Sequence, residues 1–306
     1  MKYYFAPVQG HTDAAYRQVH SEIYGNNTEY FTPFLRLEKD ELRKKDLKDA
    51  QAALVPEPST LPQVIFRDFN ELSKLVNILK DSGHGRININ MGCPFPLQTA
   101  RGRGAATIAR KECVDAVADV ISKNPDILFS VKMRLGFKDE NEWRYLIDVL
   151  NSLTLDHVAV HPRIATDQYS GELRLHQFRE LLNVSSNPIV YNGEIRTPED
   201  ASQVMREFPE IAGIMIGRGV LGRPSLITEC IEGAEWDATR RKEMMLRFHD
   251  ALFNVYQDTL IGGDHQILSK IQPFWEYAEG EIGRKAYKAI HKASNMAKYE
   301  TAVAMI

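Results

Sequence analysis

Short runs of β-branched, aromatic and aliphatic residues return eight times along the first 220 positions, at 3–8, 29–32, 62–66, 86–91, 128–133, 157–161, 188–191 and 212–216. Between them lie amphipathic stretches such as 70–80, 111–123, 140–150 and 198–207, with Asn70 placed to cap one helix and Pro198 in the first turn of another. Strands that alternate with helices pair in parallel, because each helix carries the chain back to the same edge. Eight such units predict a closed (β/α)8 TIM barrel, with an open, doubly wound sheet as the alternative. From Trp236 the strand pattern stops and helical spacing takes over, with Met244, Phe248, Leu252 and Val255 forming one apolar stripe. The sequence therefore reads as a barrel over 1–235 followed by a small helical domain over 236–306.

The ends of the runs carry the chemistry. Reading just past them gives Pro7-Val8, Gln63, Asn90 with Cys93, Lys132 with Arg134, His161 with Arg163, Asn192-Gly193-Glu194, and Gly217-Arg218-Gly219. In a barrel these tips converge on the face where active sites are built. Any one of them has a plain structural explanation, but seven of eight strands ending in groups able to bind or react is harder to explain that way. Cys93 lies in a Gly-Cys-Pro turn at the end of a strand, a poor place for packing and a good one for chemistry. The glycine-rich tips after strands seven and eight suit a phosphate, with Arg218 able to pair with it. Lys132, near the barrel axis, is placed to sit against an electron-rich ring.

Charge and cysteine content remove several classes. The formal net charge is −3, so no global field attracts a polyanion and any nucleic-acid contact must be a local patch. Two local patches stand out. Arg284, Lys288 and Lys292 share one helical face in a run free of acidic residues from 284 to 298, and Arg101 and Arg103 follow the Cys93 turn, with Arg110 nearby. A solvated helix face and a phosphate-backbone contact both fit the first patch. Three cysteines far apart, with no C-x-x-C pair, argue for a reducing compartment and against a disulfide framework or structural zinc. No stretch approaches the ~20 apolar residues of a membrane span, and the first residues are too short an apolar run for a signal peptide. A cytoplasmic protein without metal is expected.

The motifs in order resemble the tRNA-dihydrouridine synthases. The matching pieces are Ala6-Pro7-Val8-Gln9-Gly10-His11-Thr12-Asp13 with Arg17, Pro62-Gln63-Val64, Asn88-Ile89-Asn90-Met91-Gly92-Cys93-Pro94, and Gly102-Arg103-Gly104-Ala105-Ala106. They continue with Val131-Lys132-Met133-Arg134-Leu135-Gly136, Val160-His161-Pro162-Arg163, Tyr191-Asn192-Gly193-Glu194 and Ile216-Gly217-Arg218-Gly219. The resemblance covers roughly residues 1–225 and is looser beyond Trp236. It implies a flavin barrel in which NADPH reduces FMN and a tRNA uracil is then reduced across C5=C6; a monomer is expected. Ala6, Pro7 and Val8 would line the flavin, Gln63 would hydrogen-bond its ring, and Lys132 and His161 would flank it. Asn192, Gly193, Glu194, Gly217 and Arg218 would hold its phosphate. Asn90 would orient the uracil and Cys93 would donate the proton. Arg134, Arg101, Arg103, Arg284, Lys288 and Lys292 would contact the RNA.

Four positions depart from the family pattern: Val8 where methionine is usual, Phe66-Arg67 where a glycine is common, Phe95-Pro96-Leu97 without the lysine many members place there, and Glu194 for aspartate. A flavin barrel acting on a small pyrimidine, of the dihydroorotate dehydrogenase type, is the nearest rival. It shares the Lys, Asn and phosphate-site logic but has no need of a basic helical appendage. A barrel that binds RNA or a phosphorylated metabolite without catalysis is the third possibility.

Overall fold

Pro62 is where the sheet meets itself. In the computed structural model, which describes residues 1–25 and 27–306, the sheet runs Thr60–Leu61, Thr28–Phe31, Lys2–Phe5, Gly213–Ile216, Ile189–Tyr191, Val158–Ile164, Leu128–Gly136, Arg86–Met91, Gln63–Ile65. Its first and last members are halves of one extended segment. Proline has no N–H to give a ladder, so the segment is divided there. Thr32 N still bonds to Leu61 O and Asn88 N to Pro62 O, each at 2.9 Å. One half pairs with the second strand and the other with the fourth, both in parallel, and eight strands close into a (β/α)8 barrel. Closure removes the open doubly wound sheet.

The anticipated runs fall on the strands, and the helices form at Phe69–Asp81, Lys111–Ser122, Trp143–Leu150 and Pro198–Glu207. The first of these starts earlier than expected. Asp68, not Asn70, is the cap and accepts the Glu71 N–H at 2.9 Å, while Glu71 reaches back to the Arg67 N–H at 3.0 Å. A free amide of the first turn and the amide just before the cap are satisfied together, which favours Asp68 over its neighbour. An antiparallel hairpin of Leu37–Glu38 with Glu41–Leu42 was not anticipated, because strands of two residues leave no periodicity to read.

Two compact units make up the chain. One comprises residues 1–7, 29–193 and 204–215, and the other 8–28, 194–203 and 216–306. The apolar core of the first lies inside the barrel, where Tyr4, Ala6, Phe31, Leu61, Ala159, Val190 and Met215 meet. In the second, the long helix Ala238–Thr259 buries Met245, Phe248, His249, Leu252 and Tyr256. The expected stripe through Met244 and Val255 is thus displaced. A histidine does not register in an apolar count, yet His249 is enclosed, with its Nε2 2.7 Å from the Tyr299 hydroxyl that also accepts the Trp275 indole N–H at 2.8 Å. The helix Ala14–Tyr24 belongs to the same core, with Tyr16 edge-on to Phe248 at 4.9 Å.

The strands of the first unit begin on a network of charges. Arg86 bonds to Glu29 at 2.5 Å and to Asp156 at 2.8 Å, Lys2 also reaches Glu29 at 3.1 Å, and His157 lies 3.2 Å from Asp156. The His157 hydrogen bond, helped by Arg86 and opposed by burial, holds the Asp156 carboxyl well below the usual carboxylate range. A depressed acid stabilises the fold above its unfolded pKa, and that stabilisation is lost as pH falls through the folded value. Asp156→Asn is expected to lower stability at neutral pH by about 1–3 kcal/mol and to show a shallower decline than wild type below about pH 4. Denaturant titrations of both proteins across that range check this, and parallel pH profiles would remove the assignment.

Candidate active site

Cross-strand register builds the site from the inside outward. Gln63 is opposite Asn88, Asn88 opposite Ser130, Asn90 opposite Lys132, and Lys132 opposite Ala159 of the core. These positions therefore share the barrel's inner face. Asn88 Nδ2 donates to Ser130 Oγ, Gln63 Nε2 to Asn88 Oδ1, and Asn90 Nδ2 to Gln63 Oε1, each at 2.7 Å. The relay ends at the turn: Asn90 Oδ1 accepts the backbone N–H of Gly92 at 3.0 Å and of Cys93 at 2.9 Å.

The Cys93 turn is gripped from two further sides. Arg134, 1% exposed, donates from Nε to Gly92 O at 3.2 Å and from Nη1 to Ile164 O at 2.9 Å. Cys93 O accepts the Ala105 N–H at 3.0 Å. Gly104 sits between, with φ +60°, where a Cβ would stand 2.6 Å from Cys93 O, so only glycine fits. The free, half-buried thiol thus has a fixed position at the end of the fourth strand.

Its surroundings set opposing electrostatic demands. Burial pushes the Cys93 thiol up, while the Phe95 N–H, Lys132 and Arg134 pull the other way with less effect. The group remains a thiol at neutral pH. Burial lowers the Lys132 ammonium to about 8, with Arg134 adding like-charge repulsion and Cys93 opposing it. No hydrogen bond or ion pair to the Lys132 side chain exists among the described residues. A cation held in the barrel mouth without a counter-ion fits an anionic or electron-rich ring there.

The sixth strand and the loop after it add His161, Arg163 and Tyr169. Arg163 Nη1 is 3.2 Å from His161 Nε2. A guanidinium only donates, so Nε2 accepts and the ring proton of neutral His161 sits on Nδ1. Tyr169 has its ring 5.2 Å from the Arg134 guanidinium and 6.3 Å from the His161 ring. Sequence reading passed over Tyr169. An aromatic in a polar loop just past a strand tip, 51% exposed here, was the available signal.

The other expected residues divide by placement. Within the first unit, Ala6 is buried, Pro7 is half-buried, and Asn192 donates from Nδ2 to Met215 O at 2.8 Å, one residue before Gly193. Gln63, expected against a flavin ring, is wholly enclosed and spends its oxygen on Asn90 and an N–H on Asn88. Asn90, expected to orient a uracil, uses both atoms of its amide on Gln63 and the cysteine turn. Arg101 is exposed, but Arg103, expected to meet RNA, is buried against both carboxylate oxygens of Glu71. That correction follows from a partner 32 positions away, which a local charge pattern does not reveal.

Within the second unit, the Val8 N–H donates to Thr12 Oγ1 at 3.0 Å. Arg218 donates to Glu194 at 2.6 Å just after Gly217, and Arg196 holds the other oxygen at 2.9 Å. Arg284, Lys288 and Lys292 are all exposed on the helix Arg284–Lys292, which turns Ala286 and Ile290 inward.

Comparison with known proteins agrees with this architecture. The family model described as dihydrouridine synthase (Dus) matches residues 4–302, and the chain belongs to that family. A probable tRNA-dihydrouridine synthase of Treponema pallidum (strain Nichols) is 27% identical over 95% of this chain and 89% of its own length. The tRNA-dihydrouridine synthase B of Pasteurella multocida (strain Pm70) is 26% identical over 73% of this chain and 67% of its own. Among solved structures, morphinone reductase in complex with tetrahydroNAD superposes with a TM-score of 0.53 at 8% identity, covering 77% of this chain and 88% of that one, a likeness of fold.

The state of the thiol is open to direct measurement. Iodoacetamide should modify Cys93 slowly at neutral pH, with a rate that climbs only above the ordinary thiol range of about 8.5. A wild-type rate already at its plateau near pH 7 would show a thiolate and end the case for a proton donor.

Proposed function

We propose that the chain reduces the C5=C6 bond of uridines in tRNA to 5,6-dihydrouridine, with FMN as its flavin and NADPH as the source of electrons. The observation that carries this reading is the placement of Cys93, fixed by the relay through Asn90 and gripped by Arg134, at the tip of the strand next to that of Lys132. The names of the relatives support tRNA as the substrate. The reading takes the enzyme to be a cytoplasmic monomer, with catalysis in 1–235 and RNA contact in 236–306. No described helix is long and apolar enough to cross a membrane.

Reduction of the bond adds a hydride at C6 and a proton at C5. FMN, when bound and reduced by NADPH, would supply the hydride. Cys93 supplies the proton from Sγ, and the thiolate left behind faces Lys132, Arg134 and the Phe95 N–H, the three groups that favour it. Uptake of a solvent proton restores the thiol. Arg134 and the relay keep Sγ from drifting, since each fixes a backbone atom of the turn. Gln63 belongs to the relay and acts through Asn90.

In the first unit, Lys132 and His161 are the groups for the ring, with Ala6 and Pro7 as its apolar cover and Asn192 and Gly193 for its side chain. In the second unit, Val8, Gly217, Arg218 and Glu194 carry the expected flavin contacts, with Arg218 already turned toward a carboxylate that a phosphate must share or displace. Arg284, Lys288 and Lys292 meet the sugar–phosphate backbone of the tRNA.

Two experiments test this. Cys93→Ala should still release FMN on denaturation and still oxidise NADPH, while dihydrouridine formation in unmodified tRNA falls by roughly 10²–10⁴. Undiminished product would remove the role of Cys93, and a colourless wild-type protein that FMN cannot reconstitute would sink the reading altogether. Changing Arg284, Lys288 and Lys292 to Glu should weaken tRNA binding and flatten its dependence on salt by up to about three contacts. Unchanged affinity and slope would favour a small-pyrimidine substrate.

A further inference from the structure

The first unit contains a cleft of about 620 Å³ that the reaction at Cys93 does not use. Six cations line it: Arg36, Lys39, Arg67, Lys74, Arg101 and Arg103. Carboxylates of the same lining neutralise two of them, since Arg103 is bound by Glu71 and Arg67 is 3.1 Å from Asp68. The side chains of Arg36, Lys39, Lys74 and Arg101 make no hydrogen bond or ion pair among the described residues. Arg36 Nε is buried with no acceptor at all. Glu38 and Asp40, on the hairpin, together with Asp46, which is already paired to Arg43, are the carboxylates left to offset these four.

The hairpin adds a second, independent observation. Its two-residue turn is Lys39-Asp40, with φ +50° and +63°. Turns of this kind favour Asn-Gly, so a left-handed lysine there is strained. The turn sets Lys39 and Asp40 together in the lining of the cleft. Six cations against the four carboxylates Glu38, Asp40, Asp68 and Glu71 leave the concavity with an excess of positive charge, and four of the cations have no hydrogen-bonded partner among the described residues, which is the arrangement of a site for an external anion.

The lining also says what kind of anion. It has no aromatic side chain, and Leu37 is its one apolar residue. A base has nothing to stack on, so the contact is with phosphate and sugar. One wall is continuous with the catalytic turn. Arg103 ties Glu71 and Leu37 O together, and the next residue, Gly104, lies against Cys93.

We infer that this cleft holds the phosphodiester backbone of the tRNA whose uridine is presented to Cys93. The inference rests on the proposed function. Arg103 is the structural floor, while Arg36, Lys39, Lys74 and Arg101 make the phosphate contacts. Because the wall and the cysteine turn are one piece, backbone seated here sets the register in which a nucleotide arrives at the thiol.

The test uses the full-length flavoprotein and an unmodified tRNA transcript, with binding followed by anisotropy over a range of salt. The double variant Arg36→Gln/Lys74→Gln should bind roughly tenfold more weakly, with a log–log salt slope shallower by about two, one per lost phosphate contact. Lys123→Gln removes an exposed lysine at the end of the helix Lys111–Ser122, paired to Asp119 one turn back and outside the cleft lining, and should leave the slope unchanged. Thermal melts establish that the variants fold. If Arg36→Gln/Lys74→Gln melts low, Lys39→Gln/Arg101→Gln on the exposed loops gives the same reading. Wild-type affinity and slope in a folded double variant overturn the inference, as does equal loss in Lys123→Gln. Displacement of tRNA by inorganic phosphate or NADPH at matched phosphate concentration also overturns it, because it assigns the cleft to a small anion. Dihydrouridine formation by the wild type is read separately, so failure of the proposed function is told apart from failure of the cleft.

Discussion

Everything at the strand tips depends on a rule about buried amides: each must have its partners or the fold pays several kcal/mol for it. Ser130, Asn88, Gln63 and Asn90 satisfy one another in sequence, so rotation of any one leaves its neighbour unpaired. Asn90 is last in the line and has only the Gly92 and Cys93 amides to accept. The position of the thiol is thereby inherited from polar groups in the barrel interior, on strands three, four and five. An apolar interior would pack as well but would transmit no such orientation.

The same interior explains how a cysteine is kept protonated among cations. Lys132 and Arg134 alone would drive it toward the thiolate. Enclosure by the barrel wall and the Gly104 loop counters them, and it acts on the cations as well, lowering Lys132 to about 8 and Arg134 to about 10. A proton donor and the charges that stabilise its conjugate base can share one site when low polarity restrains both. The balance shifts only when the proton leaves.

The barrel was legible because its signal is repeated: eight apolar runs, each buried on both faces, leave little room for another period. Asn90, Cys93, Lys132 and His161 were legible as strand-end residues for the same reason. What escaped was whatever depends on a distant partner. Arg103 looked like its neighbour Arg101 until Glu71 appeared against it. Gln63 reads as a free amide until the register sets it between Asn88 and Asn90. His249 was lost because a buried, hydrogen-bonded histidine is apolar in its packing and polar in its composition. The hairpin at Lys39 was too short for any pattern.

The sheet order has a consequence for how the chain is made. The strand Lys2–Phe5 is flanked on one side by Gly213–Ile216, so one edge of the first strand finds its partner only after some two hundred further residues have been synthesised. At about 5–20 residues per second that edge stands open for roughly 10–40 s. For that interval the nascent chain carries an unsatisfied template for any passing strand. Tyr3, Tyr4 and Phe5 are the residues that this exposes, which makes the first barrel strand, long before the chemistry exists, a stretch in need of shelter on the ribosome.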